Sequence, residues 1–224
     1  YRRQRQMCIR DRLEISRFDA GAARLDMAST DIFTVIYDVV EACAPLVLES
    51  GSELTVRSTL TRCVVQMDQR RIDRILRNLV TNALEHGESK PVDIYVGANE
   101  NCVSVAVRDH GIGMTEEQTT KVFNRFWRGD PARARTVGGT GLGLAIATED
   151  TRLHGGALTV WAEPDNGACF RLTLPLLRNQ VLDPEQPDPL PMPPVEQHSE
   201  STARVTDTGS LPVSYTHLTL PTIL

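Results

Sequence analysis

The chain has 224 residues, of which 41% are hydrophobic, and a formal net charge of −5. This length holds one ordinary domain with extensions, and the apolar content is enough for a packed core. Residues 179–224 contain six of the 29 acidic residues and one of the 24 basic residues, so residues 1–178 are neutral overall. A neutral body argues against a nucleic-acid partner, which would need a basic surface.

The cysteines and apolar runs exclude several further classes. The five cysteines are odd in number and never occur as Cys-x-x-Cys, so neither a disulfide framework nor a zinc site is indicated. No run approaches the roughly 18–20 apolar residues that cross a bilayer, and no charged leader with an apolar core opens the chain. We therefore expect a cytoplasmic domain. The cysteines are Cys8, Cys43, Cys63, Cys102 and Cys169.

Both ends differ from the body. Residues 1–12 and the last 13 residues or so resemble translated cloning or assembly sequence, and they are excluded from the fold prediction. Residues 179–224 hold eight of the 13 prolines. Such a composition buries too little apolar surface to offset its ordering entropy, so we predict a disordered, extended tail. A polyproline II docking strip is the alternative.

Three segments carry apolar residues at helical spacing. The first is residues 32–49, where Pro45 interrupts the pattern. The second is residues 72–83, which the potential N-cap Asp68 precedes. The third is residues 142–153, which end at a His-Gly-Gly sequence typical of a helix end.

Short alternating segments predict the strands. Leu54–Val56 and Val64–Met67 form two of them, and two hairpins follow. Between the hairpins, residues 109–140 are rich in Gly, Asp and Arg, which predicts a long loop with one short helical piece at Phe123–Phe126. The expected fold is α/β, a two-layer sandwich of three helices on a mixed, largely antiparallel sheet. The hairpins are residues 92–96 with 103–107, and 157–162 with 168–175.

The strongest single motif is Gly-Gly-Thr-Gly-Leu-Gly-Leu-Ala at residues 138–145. Glycines let backbone N–H groups approach an anion, and the following helix presents its positive end, so the segment suits a polyphosphate. No P-loop motif is present. A flexible hinge is the alternative interpretation. The candidate ligands are Gly139, Thr140, Gly141, Leu142 and Gly143.

A second loop, Arg-Asp-His-Gly-Ile-Gly-Met-Thr, follows the strand that ends at Val107. Asp109 can accept a hydrogen bond from an exocyclic amino group, and Gly111 and Gly113 let a flat ring lie against the backbone. Adenine offers that donor, whereas guanine offers a carbonyl at the same place. Asp109 as a turn former is the alternative.

Two asparagines, Asn78 and Asn82, are four residues apart and project from the same side of the predicted helix. Nucleotide phosphates already supply negative charge, so neutral amide oxygens can complete the shell of a bound Mg²⁺. The alternative is two polar residues at a helix boundary.

Arginines and aromatic residues crowd the segment before the glycine loop. A guanidinium there can reach a phosphate from a lid, for which Arg128 is the candidate, although a solvated charged face is the common alternative. The aromatic residues are predicted to anchor the lid. The arginines are Arg125, Arg128, Arg133 and Arg135, and the aromatic residues are Phe123, Phe126 and Trp127.

These four motifs resemble, in order, the N, G1, F and G2 boxes of the catalytic domain of sensor histidine kinases, over about residues 30–178. This resemblance implies the Bergerat ATP-binding fold shared with gyrase, Hsp90 and MutL. It places Asp109 on the adenine amino group, Asn82 with Asn78 at Mg²⁺, and Gly139–Gly143 under the phosphates. Three further segments, Arg-Phe-Asp-Ala-Gly, Arg-Phe-Trp-Arg-Gly-Asp and Glu-Asp-Thr-Arg-Leu-His-Gly-Gly, are most similar to MtrB-type kinases of actinobacteria.

The ATP-hydrolysing relatives place a glutamate base four residues before the metal-binding asparagine, where this chain has Asn78. Without that carboxylate, phosphate should wait for an external acceptor. The family often has Lys and Tyr where this chain has Glu85 and His86. The change at Glu85 removes a phosphate contact, and His86 either stacks near the purine or is a surface histidine.

No histidine of the chain has the neighbourhood of a phosphorylated H box. Residues 13–28 resemble the end of the second dimerisation helix and a linker, residues 29–178 the catalytic domain. We therefore expect a C-terminal fragment that binds Mg²⁺-ATP without phosphorylating itself. The implied partners are its own dimerisation domain and a response regulator, within a homodimeric parent held in the bacterial membrane by preceding segments. The alternatives are a GHKL-type ATPase and a non-catalytic ATP-sensing module.

Overall fold

The computed structural model describes residues 24–129, 141–180, 182 and 187–194, and the backbone of residues 202–204. Four helices lie in these ranges: α1 (Ile32–Ser50), α2 (Gln69–His86), α3 (Glu116–Lys121) and α4 (Gly143–Leu153). The strands are β1 (Ala28–Asp31), β2 (Leu54–Ser58), β3 (Val64–Met67), β4 (Val92–Ala98), β5 (Cys102–Asp109), β6 (Ala157–Ala162), β7 (Ala168–Pro175) and β8 (Thr202–Arg204).

Six of these strands form one sheet in the order β6-β7-β5-β4-β2-β8, and β1 pairs with β3 separately. In the sheet, β2 and β4 run parallel and the other described neighbours run antiparallel. The predicted fold class, an α/β two-layer sandwich with a mixed, largely antiparallel sheet, is confirmed. None of the described helices has the length and apolar composition needed to cross a membrane.

Side-chain caps set the starts of α1 and α2, of which the sequence predicted the one at Asp68. The Asp31 carboxylate accepts from the N–H of Phe33 at the start of α1, and that of Asp68 accepts from the N–H of Arg71 at the start of α2. Helix α1 continues through Pro45, where the sequence predicted an interruption. A proline inside a helix costs about 3 kcal/mol. Cys43 and Val47 on either side of it are buried in the core, which offsets that cost.

Two local predictions were wrong or incomplete. The short helix of the loop lies at Glu116–Lys121 and not at Phe123–Phe126. A capping box causes this, since the Thr115 hydroxyl accepts from the N–H of Gln118 while the Gln118 side chain accepts from the N–H of Thr115. Strand β1 was not predicted, because four residues without an apolar run carry no periodic signal.

The hydrophobic core lies between the helices and one face of the sheet, here called the inner face. Helix α2 contributes its whole apolar stripe, as its spacing predicted. The opposite, outer face carries a smaller cluster around Tyr95, Ala106 and Cys169. Leu190 and Met192 of the proline-rich tail pack on that cluster. For residues 187–194, therefore, the structure differs from the disordered tail that composition predicted.

Candidate nucleotide-binding site

The C-terminal half of α2 is the point at which the predicted motifs meet. Gly111 of the second loop packs directly on the last turn of this helix: a Cβ at Gly111 would lie 1.9 Å from the His86 carbonyl oxygen. Gly113 has φ +63° and lies equally close to the backbone of Glu163. These two glycines were predicted to make room for a flat ring. In the structure the positions that their Cβ atoms would occupy are taken by neighbouring backbone, which fixes the loop against α2 and against the turn between β6 and β7.

Asp109 ends strand β5 and is 4% exposed. Its Oδ1 accepts hydrogen bonds from the N–H groups of Gly111 (3.0 Å) and Ala168 (3.3 Å). Burial raises the pKa of this carboxyl group, and the two N–H donors oppose the rise. Among the described residues both hydrogen bonds go to Oδ1, so Oδ2 is left to accept from a ligand.

Asn78 and Asn82 lie on the same side of α2, as predicted, and both are half-buried. The Asn78 amide nitrogen donates to the carbonyl oxygen of Gly143 at 3.1 Å, which joins α2 to the first residue of α4. Leu142, the N-cap residue of α4, is buried, and its side chain makes no capping hydrogen bond to the first N–H groups of that helix. Uncapped N–H groups at a helix start are donors suited to a phosphate.

The segment that contains Arg128 meets the glycine motif at one described point. The Phe126 N–H donates to the Gly141 carbonyl oxygen at 2.8 Å. Arg128 is exposed and lies close enough to Glu85, on the last turn of α2, to act on its carboxylate. Gly139 and Thr140 lie outside the described residues, as do Arg133 and Arg135.

Two of the three aromatic residues that were predicted to anchor the lid pack against the main hydrophobic core. Trp127 contacts the main core, and the Phe123 ring meets that of Phe170 edge-on, with centroids 6.2 Å apart. Phe126 does not pack on the rest of the domain: its side chain is 63% exposed, and its φ is +64°. His86 is also exposed at the end of α2.

Sequence reasoning missed the carboxylate that holds α2 against α4. Asp150 is fully buried and accepts hydrogen bonds from Arg71 Nη1 at 2.7 Å and from Arg74 Nε at 3.0 Å. Both arginines lie on α2, one and two turns before Asn78. A buried charge is tolerated when it is paired and hydrogen-bonded in this way. The spacing of Arg71, Arg74 and Asn78 on one helix was the signal that could have found this contact.

His154 completes the contact between the two helices. Its Nε2 accepts from the N–H of Asp68, and its Nδ1 lies 2.7 Å from the carbonyl oxygen of Asp150. An N–H group can only donate and a carbonyl can only accept, so Nδ1 carries the proton and the ring is neutral. Burial lowers the pKa of His154 accordingly.

Comparison with known proteins agrees with this geometry. The family profile described as "Histidine kinase-, DNA gyrase B-, and HSP90-like ATPase" matches residues 67–178. The chain therefore belongs to this family and carries a catalytic domain of the histidine kinase type.

Individual relatives give the same assignment. The chain is 46% identical over 201 residues to sensor histidine kinase MtrB of Mycolicibacterium paratuberculosis, which covers 90% of this chain and 35% of that protein. MtrB of Mycobacterium tuberculosis is 48% identical over 189 residues, covering 84% and 33%. The chain thus spans about a third of the length of these relatives.

Solved structures show the same fold. Full-length ShkA in complex with AMPPNP superimposes with a TM-score of 0.68 at 28% identity, covering 76% of this chain and 35% of that one. The mycobacterial sensor histidine kinase MprB gives a TM-score of 0.58 at 26% identity, covering 68% and 99%.

The contact between α2 and α4 should depend on pH through His154. The folded pKa of His154 lies below its ordinary value of 6.5, so the unfolded state binds more protons between the two values. The stabilising contribution is complete above pH 6.5 and is lost as pH falls below it. Urea unfolding at pH 7.5 and 5.5 should show a larger loss of unfolding free energy for the wild type than for His154→Gln, which does not titrate. Equal losses would contradict this role.

Proposed function

We propose that this chain is the ATP-binding catalytic domain of a two-component sensor histidine kinase. In this function it transfers the γ-phosphoryl group of ATP to a histidine on a dimerisation helix, for relay to a response regulator. The observation that carries the proposal is the Asp109 carboxylate, buried at a strand end with one oxygen held by two N–H donors and the other left for an amino group.

The nucleotide would lie along α2, with its base at Asp109 and its phosphates at the start of α4. Arg128 would neutralise charge on the outer phosphates. The N–H groups at the start of α4, which its N-cap residue Leu142 does not cap, support this orientation, because they favour an anion. The residues proposed to contact ATP are Asn78, Asn82, His86, Asp109, Gly111, Gly113, Arg128, Gly139, Thr140, Gly141, Leu142 and Gly143.

The donor set fits magnesium held jointly with phosphates. Within the described residues no group of three or more carboxylate, imidazole or thiol side chains could hold a metal ion. A magnesium ion here would take its negative ligands from ATP, and amide oxygens of Asn82 and Asn78 would be further ligands. Magnesium would neutralise phosphate charge during transfer.

The reaction class follows from Asn78. An amide cannot remove a proton from water, and the Asn78 nitrogen is engaged with the Gly143 carbonyl oxygen. The γ-phosphoryl group of bound ATP would therefore be transferred to the imidazole of a separate domain and not to water. This favours a kinase over the GHKL-type ATPase.

The domain division is part of the proposal. Residues 29–178 would form the catalytic domain, residues 13–28 would connect it to the dimerisation helices, and residues 1–12 and about the last 13 residues would be non-native. The parent protein would be a homodimer anchored in the bacterial membrane, with this domain on its cytoplasmic side.

Phosphotransfer to a separate domain tests the proposed function. The chain is incubated with γ-labelled ATP and Mg²⁺, with and without a purified dimerisation domain from an MtrB-type relative. We expect acid-labile label on the histidine of the added domain and none on this chain. Steady release of phosphate with no labelled domain would instead favour the ATPase alternative, and binding without either reaction would favour the ATP-sensing module.

Asp109→Asn should lower ATP affinity by about ten- to a hundredfold, because a hydrogen bond to a charged group contributes roughly 1.5–3 kcal/mol. The amide oxygen can still accept from Gly111 and Ala168, so the fold should be kept. Calorimetric titration with Mg²⁺-ATP and Mg²⁺-GTP measures the effect, and wild type should prefer ATP. Equal wild-type affinity for the two nucleotides would refute the base assignment.

Asn82→Ala should weaken binding of Mg²⁺-ATP while leaving the weaker binding of metal-free ATP unchanged. The amide oxygen acts through the metal, so its loss removes only the part of the affinity that Mg²⁺ adds. Titration with ATP in excess Mg²⁺ and in excess EDTA separates the two quantities. If Asn82→Ala lowered both equally, or neither, Asn82 would not be a magnesium ligand.

A further inference from the structure

The tail segment of residues 187–194 makes a specific polar contact with the outer face of the sheet. The Asp188 carboxylate accepts hydrogen bonds from the hydroxyls of Ser104 (2.7 Å) on β5 and Thr173 (2.6 Å) on β7. It also lies 3.2 Å from Arg171 Nε and accepts from the N–H of Leu190 at 3.1 Å. Two strands thus supply two hydroxyl donors and one ion-pair partner to a single tail carboxylate.

The backbone and apolar side chains of the segment are held as well. Arg171 Nη1 donates to the Leu190 carbonyl oxygen at 2.6 Å, and the Asn99 amide donates to that of Pro187 at 3.3 Å. The Met192 sulfur lies 3.6 Å from Sγ of Cys169, which is fully buried beneath it.

The outer face is shaped for this segment. Gly97 on β4 leaves the space that Leu190 occupies: a Cβ there would lie 2.8 Å from Leu190 Cδ2 and 3.2 Å from the Pro189 carbonyl oxygen. Ser104, a polar residue of the outer face, is 0% exposed. Polar residues on the free face of an antiparallel sheet are normally solvated. The burial of these hydroxyls, matched by an acid that they bind, indicates a recognition surface.

We propose that the outer face of the sheet is a binding surface for an acidic, proline-rich peptide, and that its occupant is residues 187–194 of the same chain. Asp188 and Leu190 are the recognised side chains, and β4, β5 and β7 provide the surface. This surface lies on the opposite side of the sheet from α2 and the proposed nucleotide site, so it is independent of the proposed function.

Alkylation of Cys169 in the full chain reports whether the segment is docked. We expect slow alkylation of the docked form for two reasons. The segment covers the thiol of Cys169, and burial raises the pKa of this thiol to about 12, which leaves little reactive thiolate. Rates are measured with iodoacetamide and peptide mapping by mass spectrometry. Asp188→Ala should speed alkylation of Cys169 by about ten- to a hundredfold, which corresponds to losing hydrogen bonds of a charged group.

Three controls separate undocking from unfolding. Gly97→Val keeps the tail intact but fills the space for Leu190, so it should also speed alkylation of Cys169. Glu100→Ala removes an exposed acid from the β4–β5 turn and should behave as wild type. Cys43, buried in the main core, reports global opening in every sample. The proposal is overturned if Cys169 is no faster in Asp188→Ala, or if Cys43 accelerates in parallel.

Addition of a peptide tests recognition directly. A synthetic peptide of residues 183–196, added to Asp188→Ala, should slow alkylation of Cys169 in a dose-dependent way, whereas the same peptide carrying the alanine should not. Equal effects, or none, would contradict a binding surface. In the wild type, the slow alkylation of Cys169 should be unchanged over about a hundredfold dilution, because the occupancy of a site by an intramolecular ligand does not depend on protein concentration. Protection lost on dilution would mean that a second copy supplies the tail, contrary to the proposal.

Discussion

The pairing of one buried carboxylate with two arginines fixes the arrangement on which the candidate site depends. Asp150 lies on α4, and Arg71 and Arg74 lie on α2. If the helices separated, a carboxylate buried in the protein would lose its partners, which costs several kcal/mol. The pairing therefore opposes separation of the two helices. Since Asn78 lies one turn beyond Arg74, the same pairing sets the distance between the α2 amides and the start of α4.

The proposed base side of the site is held by a different kind of contact, between backbone segments that only glycine allows to approach. Gly111 packs on the end of α2 and Gly113 on the β6–β7 turn, and Ala168, the first residue of β7 after that turn, donates its N–H to Asp109. The carboxylate is thus oriented by three parts of the chain at once. Its burial would be unfavourable in an apolar core, but here two N–H donors compensate part of the cost. A carboxylate whose pKa is raised by burial at a strand end is typical of a binding site.

Sequence reasoning succeeded where periodicity was strong and failed where single contacts decide. The stripe of α2 and the alternation of β4 and β5 predicted these three elements and the face that each turns toward the main core, because burial itself imposes those periods. The positions of Asn78 and Asn82 followed from helix geometry alone. By contrast, β1 is stabilised by its pairing with β3, and no local pattern encodes that partner. The contact at Asp150 joins it to Arg71, 79 positions earlier in the chain, and to Arg74, 76 positions earlier. No sequence motif spans such a separation.

The tail shows why composition misled. Apolar burial alone predicts disorder, because it includes neither the fixed φ angles of the prolines nor the partly buried ion pair of Asp188 with Arg171. Five of the eight residues in 187–194 are proline, and a fixed φ lowers the entropy lost on docking. A few well-placed contacts then suffice: one carboxylate at Ser104, Thr173 and Arg171, and one leucine over Gly97. The features that resemble an unstructured linker are thus also those of a pre-extended ligand, and only the shape of the outer face distinguishes the two.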